Sequence, residues 1–176
     1  MSEAAPGTGT GTVAVVVGNP KPASRTLAAA TYLARELAGR EPDLVVDLAA
    51  LGPAVLDWSD PDVAGLVDQV GKAGLVVVAS PTYKGTYTGL LKLFLDRFAG
   101  GTGLTGLAVP LLLGGSPAHA LAPELTLRPV LTEIGATVPG RGLFVIDKQH
   151  DDPAAYADWL AATRPVVTSL LRQELP

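Results

Sequence analysis

The stretch Ser80-Pro81-Thr82-Tyr83-Lys84-Gly85-Thr86-Tyr87-Thr88-Gly89 gathers two aromatic rings, a lysine, several hydroxyls and backbone amides freed by glycine. It follows a strongly apolar run, Leu75 to Ala79, and leads straight into a helical pattern, Gly89 to Phe98. A loop at the carboxyl end of a parallel strand is where an α/β fold holds its ligand. These groups suit a flat, partly polar heterocycle such as a flavin ring.

A second stretch, Gly18 to Thr26, joins an apolar run to a helix start. Amides at a helix N-terminus and the helix dipole favour an anion there. Ser24 and Thr26 add hydroxyls, and Arg25 offers a two-pronged grip on phosphate. The loop has neither G-x-G-x-x-G nor G-x-x-x-x-G-K-[ST], so it is neither a dinucleotide fingerprint nor a Walker A site. An ordinary capped helix with a solvated Arg25 is the alternative. A third loop, Gly114-Gly115-Ser116-Pro117, follows the apolar run Val109 to Leu113.

The elements that must place these loops are legible from periodicity. Strands are expected at Thr12–Val17, Leu44–Leu48, Leu75–Ala79, Val109–Leu113 and within Thr137–Val145, the last split by Pro139-Gly140. Helices are expected from Arg25 with Ser24 as cap, from Pro61 with Asp60 as cap, over Gly89–Phe98, and from Pro153 to about Arg172. Residues 49–59 read as irregular, and Pro123 and Pro129 must interrupt the helical region before Glu133. The order βαβαβαβαβα with near-continuous apolar strands means a parallel sheet covered on both faces. The expected fold is therefore a flavodoxin-like three-layer sandwich with strand order 2-1-3-4-5 and the ligand between strands one and three.

The chain has 176 residues, enough for one domain; residues 1–11 read as a disordered leader and residues 12–176 as that domain. A net charge of -4 without a basic stripe excludes nucleic acid as a partner. No cysteine is present, which removes disulfide, thiolate and cysteine-ligated metal chemistry and is compatible with a cytoplasmic location. No apolar run approaches the ~20 residues of a membrane span. His119 and His150 read as a helix-start and an exposed turn residue, Asp96 and Arg97 as salt-bridge formers, and Trp58 and Trp159 as packing residues. The helix Leu90-Leu91-Leu93-Phe94-Leu95-Phe98 is apolar on more than one face, so a second subunit is expected to cover part of it.

Three segments together resemble the NADPH-dependent FMN reductase family, and most of all the reductase of two-component alkanesulfonate monooxygenase systems. They are Gly18-Asn19-Pro20 with Ser24-Arg25-Thr26, the tyrosine loop from Ser80 to Lys92, and Leu107 to His119, continued by Leu127-Arg128-Pro129. The resemblance implies FMN binding and hydride transfer from NADPH or NADH to the flavin N5. It also implies a homodimer or homotetramer and transient delivery of reduced flavin to a monooxygenase. By the same resemblance Ser24, Arg25 and Thr26 would hold the FMN phosphate, with Asn19 beside them. Pro81, Thr82, Tyr83, Lys84 and Gly85 would line the isoalloxazine, and Gly115 and Ser116 would form the other wall. No protein acid or base is required, because the cofactors carry the chemistry. There are two departures from the family: Asn19-Pro20-Lys21 replaces Ser-Pro-Arg, and Leu125 stands where the alkanesulfonate reductases carry a tyrosine. An enzyme that retains its FMN and reduces quinones or azo dyes, and a flavodoxin-like electron carrier, are the alternative readings.

Overall fold

Val13–Val17 (β1) is a run of apolar residues, all of them fully buried. Such a strand needs cover on both faces, and a parallel sheet with helices on either side supplies it. In the computed structural model, which describes residues 11–173, β1 lies between Leu44–Asp47 (β2) and Leu75–Pro81 (β3). The sheet continues through Leu107–Gly114 (β4) to Leu143–Ile146 (β5). Every pairing is parallel and the order is β2-β1-β3-β4-β5, as the element pattern predicts.

The helices are Arg25–Ala38 (α1), Leu48–Leu51 (α2), Pro61–Gly71 (α3), Gly89–Leu95 (α4), Arg128–Glu133 (α5) and Ala154–Gln173 (α6). Alternate residues of β1 point to opposite faces. Val13, Val15 and Val17 pack with Leu33 of α1 and with Tyr156, Leu160 and Val167 of α6. Ala14 and Val16 pack with Val63 and Val70 of α3, Leu91 and Phe94 of α4, and Leu131 of α5. Helix α1 begins where Ser24 Oγ accepts from Leu27 N at 3.2 Å and ends at Gly39 in the left-handed region. Asp60 caps α3 by accepting from the amides of Asp62 and Val63, with Pro61 in the first turn.

Several boundaries differ from the sequence expectation. Strand β3 continues two residues further, through Pro81, and β4 starts at Leu107. Residues 49–59 are not wholly irregular: they hold most of α2 and a 3-10 turn at Gly52–Leu56. Pro110 lies inside an interior strand, a place proline usually avoids because it lacks an N–H. The neighbouring Ala108 N donates to Thr137 O, so the edge that Pro110 shares with Ala108 faces the β5 side. Pairing with β5 starts only at Leu111↔Leu143, leaving no acceptor that Pro110 fails to serve. Before α5, Pro123–Leu127 forms a π-helical turn. Pro129 cannot donate to Leu125 and its ring crowds that carbonyl, so the helix widens instead of continuing.

The apolar helix around Leu90–Phe98 finds most of its burial within its own chain. Leu91, Phe94, Leu95 and Phe98 are buried and Leu90 packs against them, while Leu93 stays partly exposed and joins neither core cluster, so only that part of the helix is left for a second subunit. Trp58 is also not a core residue: it is 65% exposed and its ring lies over the Arg97 guanidinium at 5.4 Å. The expected leader falls outside the described residues except for Gly11, whose carbonyl accepts from Arg40 at 3.0 Å. Among the described residues no helix is long and apolar enough to cross a membrane.

Tyr156 is the largest fully buried side chain, stacked edge-on to Tyr32 at 4.9 Å and donating from its hydroxyl to His150 O at 2.6 Å. Burial, helped by Tyr32 and Asp151, pushes its phenol well above the usual tyrosine range. A phenol that stays protonated when folded gives stability that is complete below the unfolded pKa of about 10 and is lost as pH rises above it. The expected slope above pH 10 approaches about 1.4 kcal/mol per pH unit. Denaturant melts of the protein and of Tyr156→Phe from pH 8 to 11.5 check this; equal slopes would refute it.

Candidate functional site

The carboxyl ends of β1, β3 and β4 bring the three singled-out loops to one edge of the sheet. Gly18, just past β1, donates to Ala79 O of β3 at 2.9 Å. A Cβ on Gly18 would lie 2.4 Å from Leu91 Cβ and 2.9 Å from Leu91 N, so the first turn of α4 rests directly on this glycine. Thr88 locks the contact. Its Oγ1 donates to Gly18 O at 2.5 Å and accepts from Leu91 N at 3.2 Å, capping α4. Its amide donates to Ser80 Oγ at 3.0 Å. Thr82 N in turn donates to Leu113 O at 2.6 Å, which ties the tyrosine loop to the end of β4.

The first loop is ordered from within. Asn19 Nδ2 donates to Thr26 Oγ1 at 3.1 Å, and Lys21 N donates to Asn19 Oδ1 at 2.9 Å. Ala23 adopts a positive φ of 49° and its amide donates to Asp47 Oδ2 at 3.0 Å. Ser24 and Thr26 are buried at the start of α1, whose first turn carries no acidic residue. Arg25 is exposed and forms an ion pair with Asp147, directly after β5.

The tyrosine loop is a tight hairpin. Tyr83 N donates to Thr86 O at 2.8 Å, and Lys84 and Gly85 both have positive φ, 53° and 86°. Two central residues of positive φ match the primed turns of two-residue hairpins. The turn lifts Tyr83 into solvent, 53% exposed, with Lys84 at the tip. Tyr87 is half-buried against the core. Burial raises its phenol pKa, with Lys92 opposing and Asp96 reinforcing the shift, so it stays neutral at ordinary pH. In the third loop Ser116 caps a short 3-10 turn through Ala118 N at 3.3 Å, and the space above Gly115 is open.

Of the residues singled out from the sequence, Asn19, Ser24, Arg25 and Thr26 cluster at the start of α1. Pro81 and Thr82 close β3, and Gly115 and Ser116 follow β4. Tyr83, Lys84 and Gly85 stand at the hairpin tip, apart from the hydrogen bonds that join the loops. Asp96 pairs with Lys92, not with Arg97; Arg97 donates to the carbonyls of Val55 at 3.0 Å and Asp57 at 2.5 Å. Arg128 is committed to Glu124 and to Gly140 O at 2.7 Å. His150 Nδ1 is buried, 3.7 Å from Asp151, and no group of three potential metal ligands forms among the described residues. Sequence reasoning passed over Thr88, Asp47 and Asp147. A hydroxyl directly before Gly89 is a helix-start signal and could have revealed Thr88; nothing local marks the other two.

A family model described as NADPH-dependent FMN reductase matches residues 12–151, a span that includes all three loops. The chain belongs to that family. The reductase is 30% identical to the FMN reductase (NADPH) of Escherichia coli (strain K12) over 144 residues, 80% of this chain and 75% of that protein. It is 31% identical to the NADH-dependent FMN reductase SfnF of Pseudomonas fluorescens (strain Pf0-1), over 81% of this chain and 77% of that protein. Among solved structures it is similar to the apo form of the NADH:FMN oxidoreductase EmoB. That match has a TM-score of 0.79 and 29% identity, and covers 93% of this chain and 90% of that one. The reductase is an oxidoreductase whose reaction uses FMN and NAD(P)H.

The residues at the edge fit a flavin nucleotide. Thr82 Oγ1 is buried without a hydrogen-bond partner at the end of β3, open space lies above Gly85 and Gly115, and the first turn of α1 offers donors and carries no acidic residue of its own.

Proposed function

We propose that the three-loop edge is the FMN site and that FMN is a substrate that leaves after reduction. The observation that carries this reading is the Thr88–Gly18 lock, which joins the helix-start loop to the tyrosine loop at the point between β1 and β3 where such folds hold a nucleotide. Asn19, Ser24, Arg25 and Thr26 bind the phosphate. Pro81, Thr82, Tyr83, Lys84 and Gly85 line one side of the ring, and Gly115 and Ser116 the other. FMN held there would supply the redox chemistry, with NADPH or NADH as the hydride donor. The chain's own contribution is to orient the ring, to leave one face accessible to the nicotinamide, and to place the Lys84 charge where reduction concentrates negative charge.

Exposure of Tyr83, Gly115 and Ser116 favours a flavin that comes and goes, and hence delivery to a monooxygenase. Leu121 and Leu125, 56% and 66% exposed beside the third loop, favour burial of this surface in a homodimer or homotetramer. A cysteine-free chain suits the reducing cytoplasm.

The test is NADPH and NADH oxidation with and without added FMN, after the visible spectrum of the purified protein has been recorded. Colourless protein whose turnover saturates with FMN supports the reading. Yellow protein indifferent to added FMN but active on a quinone would replace it with a resident flavin. Arg25→Ala is expected to weaken FMN binding about tenfold, the loss of one charge-assisted contact of ~1.4 kcal/mol, and to leave riboflavin binding unchanged. Flavin fluorescence titration measures both, and an equal effect on the two ligands would remove Arg25 from the phosphate.

A further inference from the structure

Two carboxylates reach the start of α1 from other strands. Asp47, at the end of β2, accepts from Ala23 N and also from Ala49 N at 3.3 Å, where it caps α2; its place is explained by the fold. Asp147, after β5, has no such task. Among the described residues its side chain has one partner, the guanidinium of Arg25, 122 positions away in the chain. The two side chains are 58% and 38% exposed, and an exposed pair of this kind contributes little to folding.

We propose that Asp147 sets flavin affinity by sharing Arg25 with the phosphate of FMN. This rests on Arg25 facing that phosphate. A guanidinium has five donors and can serve two anions at once, so Asp147 need not be displaced. Its carboxylate nevertheless stays next to a phosphate dianion, and like charges at that range repel. Asp147 also draws part of the Arg25 charge away from the ligand. Both effects loosen FMN and leave a ligand without phosphate untouched. Lys21 in the same loop and Lys148 beside Asp147 supply the remaining nearby cations, and neither forms an ion pair among the described residues. The carboxylate thus serves a reductase that must release its flavin: it holds the anion site below its full strength.

The experiment is fluorescence titration of FMN and of riboflavin with the full-length protein, Asp147→Asn and Arg25→Ala, with thermal melts of all three. Asp147→Asn is expected to bind FMN about five- to tenfold more tightly, chiefly through slower dissociation, with riboflavin affinity and melting temperature unchanged. Unchanged or weaker FMN binding by Asp147→Asn, with Arg25→Ala still selective against FMN, overturns the proposal and leaves the phosphate site standing. Equal changes for FMN and riboflavin in Asp147→Asn also overturn it, since the carboxylate would then act through the fold. Failure of Arg25→Ala to discriminate between the ligands rejects the phosphate site itself.

Discussion

Gly18→Val is expected to lower the melting temperature by roughly 10 °C and to abolish saturable FMN binding. The glycine is required by a close approach, not by a special backbone angle. Even a Cβ would sit 2.4 Å from Leu91 Cβ and 2.8 Å from Leu91 Cα, and those atoms belong to the body of α4. The helix must retreat as a unit, because Leu91, Phe94 and Leu95 are anchored in the core. Overpacking of this kind costs about 1–3 kcal/mol, and loss of the Thr88–Gly18 hydrogen bond adds about 1 kcal/mol. For a chain of this length each kcal/mol moves the midpoint by about 2–4 °C. The same retreat drags the tyrosine loop away from the start of α1, so the proposed site comes apart before the protein unfolds. Wild-type melting with wild-type FMN affinity would refute the lock.

Thr88→Val tests the same contact from the other side. Valine keeps the shape and removes the oxygen. Gly18 O then loses its donor and Leu91 N its acceptor, both in a buried setting. A lost helix cap and an unpaired buried carbonyl together cost about 2–4 kcal/mol. Thr88→Ser keeps both hydrogen bonds and should retain stability to within about 1 kcal/mol. The pair Gly18→Val with Thr88→Val should be clearly less than additive, because both changes break one junction. Urea unfolding of the wild type and these four variants measures this. A serine variant as unstable as the valine variant would show that the methyl group, not the hydroxyl, matters.

The parallel sheet was readable because its strands are unbroken apolar runs and its helices announce themselves with Ser24, and with Asp60 followed by Pro61. Periodicity could not say that β3 carries on through Pro81, since that extension depends on β4 lying alongside to receive the Thr82 amide. It likewise could not tell that most of the Leu90–Phe98 apolar surface is satisfied at home, with Leu93 left partly exposed, because the covering residues come from distant elements. The three loops were visible as compositions, and their shared edge followed from topology. What joins them was not: the Thr88 hydroxyl meets Gly18 across 70 positions, and Asp147 reaches Arg25 across 122. That Trp58 packs at the surface is hidden for a similar reason. A tryptophan usually seeks the interior, but here a guanidinium committed to backbone carbonyls gives the ring a partner at the surface.

The layer formed by α1 and α6 sets the order in which this chain can be completed as it is made. Helix α1 emerges early, yet the residues that share its face of the sheet include Tyr156, Leu160, Val167 and Leu171, and Arg164 pairs with Glu36 at 2.8 Å across nearly the whole chain. Among the described residues the opposite face draws on nothing beyond Phe144 and is finished first. A growing polypeptide that has passed β5 therefore carries one sealed side and one side with its valines still half bare. Contacts so far apart in sequence form late, and during that interval the exposed apolar side is what a chaperone, or another unfinished copy, will encounter.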